Sequence, residues 1–251
     1  MLNIYQDGSV LWVQLNRPNI RNAFNEDLIK ALSSVFGKVD PKTRVIILSG
    51  EGPSFCAGGD LEWMKRCANY NYEQNLNDAL NLALMFELMN HCRVPIIAKV
   101  HGAAFGGGCG LVAASDIAIA EQDTKFAFSE VRLGLVPATI SSTVISKIGV
   151  GHARSLFVTG EIFDATRAFQ IGLVHAVVEP AQMDHQVDQK IKSILSAGPK
   201  AVEKAKLLAQ SITIKPEDSA KYLAEARANF EGREGVRAFL EKRKAEFVEN
   251  R

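Results

Sequence analysis

Apolar positions follow a strand-like pattern in the first part of the chain. A turn at Asp7-Gly8 separates two short apolar runs, the second over residues 10–16. Asn25 then precedes apolar residues at helical spacing, which predicts a helix that Asn25 caps. Continuous apolar runs at 45–48 and 95–100 are typical of strands buried on both faces. These strands predict a sheet in the first half of the chain.

The pattern becomes mostly helical further along. A short helix from about residue 60 and a long one over 73–91 precede the second buried strand, and a loop at 102–108 leads into an alanine-rich helix and a strand over 116–120. Beyond Pro137 a single further strand is predicted, at 173–178. Helices are predicted at 138–148, 151–158, 164–171, 181–196, 199–211, 216–231 and 233–247. We therefore expect an α/β core over residues 1–180 and a helical segment over 181–251.

Composition narrows the possible classes of protein. The chain has 251 residues, 47% hydrophobic and 23% charged, and a formal net charge of +1, which favours neither nucleic acid nor an anionic membrane. It contains no run of about 18 apolar residues, and its start does not resemble a signal peptide. Four widely spaced cysteines predict reduced thiols, and five histidines show no metal-binding spacing. A cytoplasmic protein without a metal site is expected.

Two segments share one arrangement: a buried strand, a loop of small residues, and then a helix. The loops are Phe55-Cys56-Ala57-Gly58-Gly59-Asp60-Leu61 and residues 101–110, which include Gly106-Gly107-Gly108. Small residues let a ligand approach the backbone closely, and a helix N-terminus offers unpaired N–H groups. Neither loop matches the phosphate-binding patterns GxxxxGK[ST] or GxGxxG. A phosphate cradle therefore fits poorly, and spacing alone leaves a packing device and half of an oxyanion hole open.

The ordered motifs of the chain resemble those of the enoyl-CoA hydratase/isomerase (crotonase) family. They occur at residues 16–24, 55–61, 102–108, 115–120 and 128–137, and the likeness continues through 159–174 and 234–243. The resemblance implies a mixed α/β crotonase fold, which is a spiral of ββα units with a helical C-terminal segment that serves oligomerisation. It also implies a homotrimer or a dimer of trimers.

The resemblance implies roles for particular residues. The backbone N–H groups of Ala57 and Gly107 are expected to bind the thioester oxygen as it becomes an enolate. Glu130 is expected to be the catalytic acid/base, and its apolar neighbours Phe128 and Val131 should raise its pKa. The residues expected to bind the coenzyme A substrate are Arg21, Ala23, Gly58, Gly59, Asp60, Leu61, Gly106 and Gly110.

One position departs from the pattern of the family. Familiar hydratases use two glutamates, and the first of them falls at Gly110, which has no side chain. A single carboxylate can in principle remove a proton from water and return it to C2. Isomerisation of an enoyl-CoA also needs one carboxylate, so it stays open.

We therefore expect reversible hydration of a 2-enoyl-CoA, with an enoyl-CoA isomerase as the alternative and a non-catalytic or RNA-binding role as a third possibility. Shorter strings at 60–66, 108–114 and 129–141 resemble the bacterial methylglutaconyl-CoA hydratase branch. Glycine at position 110 is expected to leave room for the branched acyl chain of 3-methylglutaconyl-CoA, with Arg132 facing its distal carboxylate. No cofactor is implied, because the thioester supplies the acidity.

Overall fold

The computed structural model describes residues 1–211 and 214–249. The strands are β1 Leu2–Asp7, β2 Val10–Leu15, β3 Val45–Gly50, β4 Ile96–Val100, β5 Ala103–Phe105, β6 Ile117–Glu121, β7 Lys125–Ala127, β8 Ile162–Asp164 and β9 Ala176–Val178. The helices are α1 Glu26–Gly37, α2 Leu61–Cys67, α3 Tyr72–Asn90, α4 Gly107–Ala114, α5 Ala138–Thr159, α6 Ala165–Gln170, α7 Met183–Leu195, α8 Pro199–Gln210, α9 Pro216–Ala228 and α10 Phe230–Leu240.

Six strands form the main sheet in the order β1-β2-β3-β4-β6-β9. The hairpin of β1 and β2 is antiparallel, and every other pair in this sheet is parallel. A second sheet has the order β5-β7-β8, in which β5 and β7 are parallel and β7 and β8 antiparallel. Because parallel strands share their direction, the loops that follow β3 and β4 leave the main sheet at the same edge.

Alternate residues of the main strands enter two different cores. One face of the sheet joins the large core, which includes residues from α1, α3, α4 and α5. The other face, with Val45 and Ile47 of β3 and Ile97 of β4, packs against Val187 and Ile191 of α7. Helix α7 was predicted in the C-terminal segment, and it packs directly on the sheet.

The strong periodic elements agree with their predictions, including Asn25, whose side chain accepts the Leu28 N–H and caps α1. The two helices predicted at 138–148 and 151–158 form α5, which is interrupted at Gly149, where φ is 76°. Three short strands were missed: β5 inside the predicted loop at 102–108, together with β7 and β8. Each has three residues, too few to show the period of a strand.

The last two helices differ from their predicted limits. A helix was predicted over 216–231, but α9 ends at Ala228, because the Asn229 side chain accepts the Gly232 N–H and starts α10. Helix α10 ends at Leu240, seven residues before the predicted end at 247. Residues 212, 213, 250 and 251 of the predicted C-terminal segment lie outside the described residues.

Candidate active site

The two small-residue loops meet beyond the carboxyl ends of β3 and β4. The Cys56 N–H donates to the Ala103 carbonyl at 3.0 Å, and the Phe105 N–H donates to the Cys56 carbonyl at 3.0 Å. A Cβ built on Gly108 would overlap the Cys56 carbonyl. Glycine at this position therefore lets the start of α4 approach the first loop, as the small residues of both loops suggested.

Ala57 does not present a free N–H, contrary to the sequence prediction. Its N–H donates to the Arg21 carbonyl at 2.9 Å, and this bond would have to break before the group could bind a thioester. The register of the loop was not visible in the sequence, because it depends on which residue pairs with the segment that precedes α1.

Gly59 offers a free N–H group, whereas the N–H of Ala57 is already bonded. Gly59 pairs with Phe24 in an isolated parallel bridge: the Phe24 N–H donates to the Gly58 carbonyl at 2.7 Å, and the Asp60 N–H donates to the Phe24 carbonyl at 2.8 Å. A trans peptide directs its carbonyl and its N–H to opposite sides, so the Gly59 N–H points away from Phe24. Among the described residues, it has no hydrogen-bond acceptor.

Gly107 supplies a second free donor, as predicted for the start of α4. The Gly106 N–H donates to the Ala127 carbonyl at 2.8 Å, and the next bonded N–H is that of Gly110, which donates to the Gly106 carbonyl at 3.1 Å. The Gly107 N–H has no acceptor in the described part of the chain and lies in the first turn of the helix, where the partial charge is positive. The turn requires glycine at 106, where φ is 51°.

Glu130 lies beside this turn. It begins a short 3₁₀ turn, Glu130–Leu133, and a Cβ built on Gly106 would lie 3.2 Å from its Oε1 atom. Its Oε2 atom is buried and has no hydrogen-bond partner within residues 1–211 and 214–249. Burial raises the pKa of the Glu130 carboxyl above its ordinary value of 4.5, as its apolar neighbours predicted. An unpartnered carboxylate with a raised pKa is suited to general acid/base chemistry.

Gly110 does not leave room for a branched acyl group, so this part of the sequence interpretation is wrong. A Cβ built on Gly110 would lie 2.5 Å from Ile140 Cγ2 and 2.7 Å from Phe86 Cζ. Both of these side chains are almost fully buried. The position that holds a glutamate in familiar hydratases is therefore enclosed by apolar atoms from α3 and α5.

The residues predicted to bind coenzyme A fall into two groups. Arg21 and Leu61 are exposed, and Leu61 is 73% exposed. Ala23 is buried, and the Asp60 carboxylate pairs with Arg17 at 2.7 Å and caps α2 through the Glu62 N–H. Burial raises the pKa of Asp60, but its bonds from Arg17 and the backbone outweigh this effect and lower it. Asp60 therefore holds the loop together.

Two residues of the segment that precedes α1 were given no role and prove to organise the site. Arg17 donates to the Ala23 carbonyl and to Asp60, and Asn22 is completely buried with a fully bonded side chain. Asn22 belongs to the motif at residues 16–24, and its place in that motif is the one feature of the sequence that could have indicated a role for it.

Metal-binding clusters and membrane-spanning helices are both absent from residues 1–211 and 214–249. No cluster of three or more histidine, cysteine, aspartate or glutamate side chains is arranged to hold a metal. Within the same residues, no helix has the length and apolar character needed to cross a membrane.

Comparison with known proteins defines the class. The family model described as enoyl-CoA hydratase/isomerase matches residues 5–250. A crotonyl-CoA hydratase from Syntrophomonas wolfei is 35% identical, over 93% of this chain and 92% of that protein. A short-chain-enoyl-CoA hydratase from Clostridium acetobutylicum is 32% identical, over 98% of this chain and 97% of that protein.

The solved structure of an enoyl-CoA hydratase from Shewanella pealeana superimposes with a TM-score of 0.93 at 35% identity, covering 98% of this chain and 95% of that one. The predicted crotonase fold is thus confirmed. The chain belongs to the enoyl-CoA hydratase/isomerase family.

Proposed function

We propose that this protein catalyses the reversible addition of water to a 2-enoyl-CoA thioester. The observation that carries the proposal is the unpartnered Glu130 carboxylate beside the Gly106-Gly107 turn, where a free backbone donor begins α4. Two similar proteins, one named a short-chain-enoyl-CoA hydratase and the other a crotonyl-CoA hydratase, support the same reaction.

In the proposed reaction, the Gly59 and Gly107 N–H groups bind the thioester oxygen. Glu130 removes a proton from water as the water oxygen bonds to C3, and the electron pair of the double bond moves to give the enolate. The protonated Glu130 then returns its proton to C2, so the carboxylate is regenerated. Every atom of water is added, and no cofactor is needed for this sequence of steps.

The charge distribution suits an enolate. Backbone donors are fixed before the reaction, so they need no reorganisation when negative charge develops on the oxygen. The positive end of α4 acts on the same oxygen. Removal of one such donor raises the barrier by roughly 3–4 kcal/mol in enzymes where it has been tested.

Isomerisation of a 3-enoyl-CoA to the 2-enoyl isomer is the second candidate, and the surroundings of Gly110 favour it. The place of a second glutamate is filled by apolar atoms of Phe86 and Ile140, so no second carboxylate from this position can hold a water molecule. Isomerisation uses no water: Glu130 would remove a proton from C2 and return it to C4. The name of the family covers both reactions.

The acyl group is proposed to be short and uncharged. The sequence interpretation in favour of 3-methylglutaconyl-CoA assumed free space at Gly110, which the contacts of Phe86 and Ile140 contradict. An apolar environment is also unfavourable for a second carboxylate. Arg132, which was expected to face that carboxylate, donates from Nε to the Gly160 carbonyl at 2.8 Å. Crotonyl-CoA is therefore expected to be the better substrate.

One panel of substrates tests the reaction and the acyl group together. The kcat/KM values are measured for crotonyl-CoA, a long-chain 2-enoyl-CoA, 3-methylglutaconyl-CoA and a 3-enoyl-CoA, with product analysis by mass. A mass gain of one water with crotonyl-CoA supports hydration, and an unchanged mass with a shifted double bond supports isomerisation. If 3-methylglutaconyl-CoA gave the highest kcat/KM, the hypothesis of an acidic acyl group would be supported after all. If no thioester were turned over, the proposed function would be contradicted.

The homotrimer or dimer of trimers also stays a proposal. It is supported by large apolar side chains that the helices after α7 leave exposed in one chain: Leu207, Leu223, Val236, Phe239 and Leu240. Light scattering coupled to size-exclusion chromatography gives the mass of the assembly, and a monomer would contradict it.

A further inference from the structure

We propose that Asn22 is a positioning residue for the oxyanion donor of Gly59, an inference that rests on the proposed function. The Asn22 side chain is completely buried, and its amide is fully used. Its Oδ1 atom accepts the Arg17 N–H at 2.8 Å. Its Nδ2 atom donates to the carbonyls of Glu51 and Ser54, each at 2.8 Å.

These bonds hold the beginning of the loop that carries Gly59. Glu51 directly follows β3, and Ser54 leads into the part of the loop that pairs with β5. The end of the same loop is held two residues further along the chain, where the backbone of Phe24 bonds to the Gly58 carbonyl and the Asp60 N–H. Hydrogen bonds from residues 22–24 therefore hold the loop at both of its ends.

The middle of the loop is held from the same segment. The Arg21 carbonyl, next to Asn22, accepts the Ala57 N–H at 2.9 Å. The direction of the Gly59 N–H follows from these bonds, because Gly58 and Asp60 fix the peptide planes on both sides of Gly59. A shift of residues 21–24 would turn the donor away from the thioester oxygen.

The backbone at Asn22 leaves little freedom for such a shift. Its φ is 57°, in the left-handed region that asparagine tolerates better than most residues with a Cβ. A Cβ built on Gly50 would lie 2.9 Å from Asn22 Nδ2, so the amide is also packed closely against the end of β3. Without the amide, the Glu51 and Ser54 carbonyls and the Arg17 N–H lose these hydrogen-bond partners.

The Asn22→Gly variant tests the role of the side chain, because glycine retains the left-handed backbone conformation. We expect kcat with crotonyl-CoA to fall at least about tenfold, since a donor displaced by about 1 Å can cost about 100-fold. KM should change less than about threefold, because the donor acts mainly on the enolate. The measurements are steady-state kinetics at a temperature where circular dichroism shows both proteins folded.

Val187→Ala is the matched control for a general loss of stability. Val187 is buried on the opposite face of the main sheet, between α7 and the strands, and contributes nothing to the site. This variant should lower Tm by several degrees while kcat stays within about twofold of wild type. A kcat of Asn22→Gly within about threefold of that of Val187→Ala would overturn the role of Asn22.

Asn22→Asp supplies a second measurement, which also decides the matter if Asn22→Gly does not fold. The ionised carboxylate has no donor for the Glu51 and Ser54 carbonyls, whereas the protonated acid has one. The ratio of kcat for Asn22→Asp to kcat for wild type should therefore rise as the pH is lowered, and the titration of Glu130 cancels in this ratio.

If the ratio of kcat for Asn22→Asp to kcat for wild type does not change with pH, the inference is overturned. This holds whether Asn22→Gly is folded and active or fails to fold. The proposed function fails in a different way: wild type would not turn over any of the thioesters, and the positioning role would fall with it. A wild type that is active and an Asn22→Gly variant of equal kcat would overturn the positioning role alone.

Discussion

The two ends of the parallel strands both hold half-buried carboxylates, but among the described residues only one end leaves a buried carboxylate oxygen without a partner. At the amino ends, Asp116 accepts the Ile96 N–H at 2.8 Å and pairs with Lys206 at 2.7 Å. At the carboxyl ends, Glu130 has a buried oxygen for which no partner exists among the described residues. Buried polar groups are normally paired, because an unpaired one is unfavourable. The unpaired carboxylate oxygen therefore marks the end where a proton can be accepted. The buried Nε atom of Arg44, which precedes β3 at the amino ends, also has no partner among the described residues, but it is not a proton acceptor.

The neighbouring lysine underlines the difference. Burial lowers the pKa of Lys147 to about 8, yet its Nζ atom donates to the Ser115 carbonyl at 2.7 Å. A shifted pKa alone does not distinguish the two ends, since both contain one. The two ends differ in whether the titrating atom has a hydrogen-bond partner among the described residues.

The largest effect is expected from Glu130→Gln. The variant keeps the shape of the side chain but cannot accept a proton from water, so kcat should fall by roughly 100-fold or more with little change in KM. Steady-state kinetics with crotonyl-CoA measures it.

Asp116→Asn is its matched control at the other end of the strands. It weakens the pairing with Lys206 and should lower Tm while leaving kcat within about twofold of wild type. The comparison breaks if Asp116→Asn loses activity as strongly as Glu130→Gln while both remain folded.

Gly107→Pro should have the next largest effect. Proline is tolerated in the first turn of a helix but has no N–H, so the enolate loses one donor and kcat should fall by about 100-fold. Gly107→Ala is the control, because it adds the same Cβ, which meets the Phe24 ring at 3.0 Å, and keeps the N–H. Equal kcat values for the two folded variants would remove Gly107 from the oxyanion hole.

Sequence patterns predicted the core elements well because these elements are long enough to show a clear pattern of apolar residues. The strands β3 and β4 contain continuous apolar runs, and the helices α1 and α3 extend over several turns, whereas β5, β7 and β8 have three residues each and depend on long-range pairing. The same reason explains the site. Motifs identified Glu130 and the loops, but the choice between Ala57 and Gly59 depends on hydrogen bonds to Arg21 and Phe24, which no local pattern contains.

Gly110 shows a different limit of sequence reasoning. The absence of a side chain suggests empty space, but the space was filled by Phe86 and Ile140, which are 24 and 30 residues away in the chain. A glycine therefore indicates either room for a ligand or close packing, and only the contacts decide between them.

Gly110→Ala should have a moderate effect, on stability. A Cβ at this position would lie 2.5 Å from Ile140 Cγ2, so the variant should lose about 1–3 kcal/mol of the free energy of unfolding. Gly151→Ala is the control on another helix, since nothing lies within 4 Å of its Cβ, and it should be neutral or slightly stabilising. Urea unfolding of both proteins gives the values. Equal stability of the two would mean that the acyl pocket extends to Gly110.

A smaller effect is expected in the pH dependence of stability. The raised pKa means that the folded protein binds a proton at Glu130 more tightly than the unfolded chain. Glu130 therefore favours folding below its unfolded pKa of about 4.5, and this contribution is lost as the pH rises through the higher folded pKa. The Tm of Glu130→Gln should exceed that of wild type at pH 7–8, and the difference should shrink as the pH approaches 4.5. Because Lys147 is the same in both proteins, its titration cancels, and a difference that is constant with pH would contradict the raised pKa.

The smallest effect is expected from Glu62→Gln, which tests a carboxylate that lies near the site in sequence alone. Glu62 follows Asp60 in the first turn of α2, and its side chain is 70% exposed and pairs with Lys65 at 2.6 Å. Solvent screens such a pair, so neither Tm nor kcat should change measurably. If Glu62→Gln lowered kcat as strongly as Glu130→Gln, the proton in the proposed reaction would be carried by an exposed and paired carboxylate. The absence of a hydrogen-bond partner on a buried carboxylate would then no longer locate the site. Glu130 would have to be reassigned to a structural role.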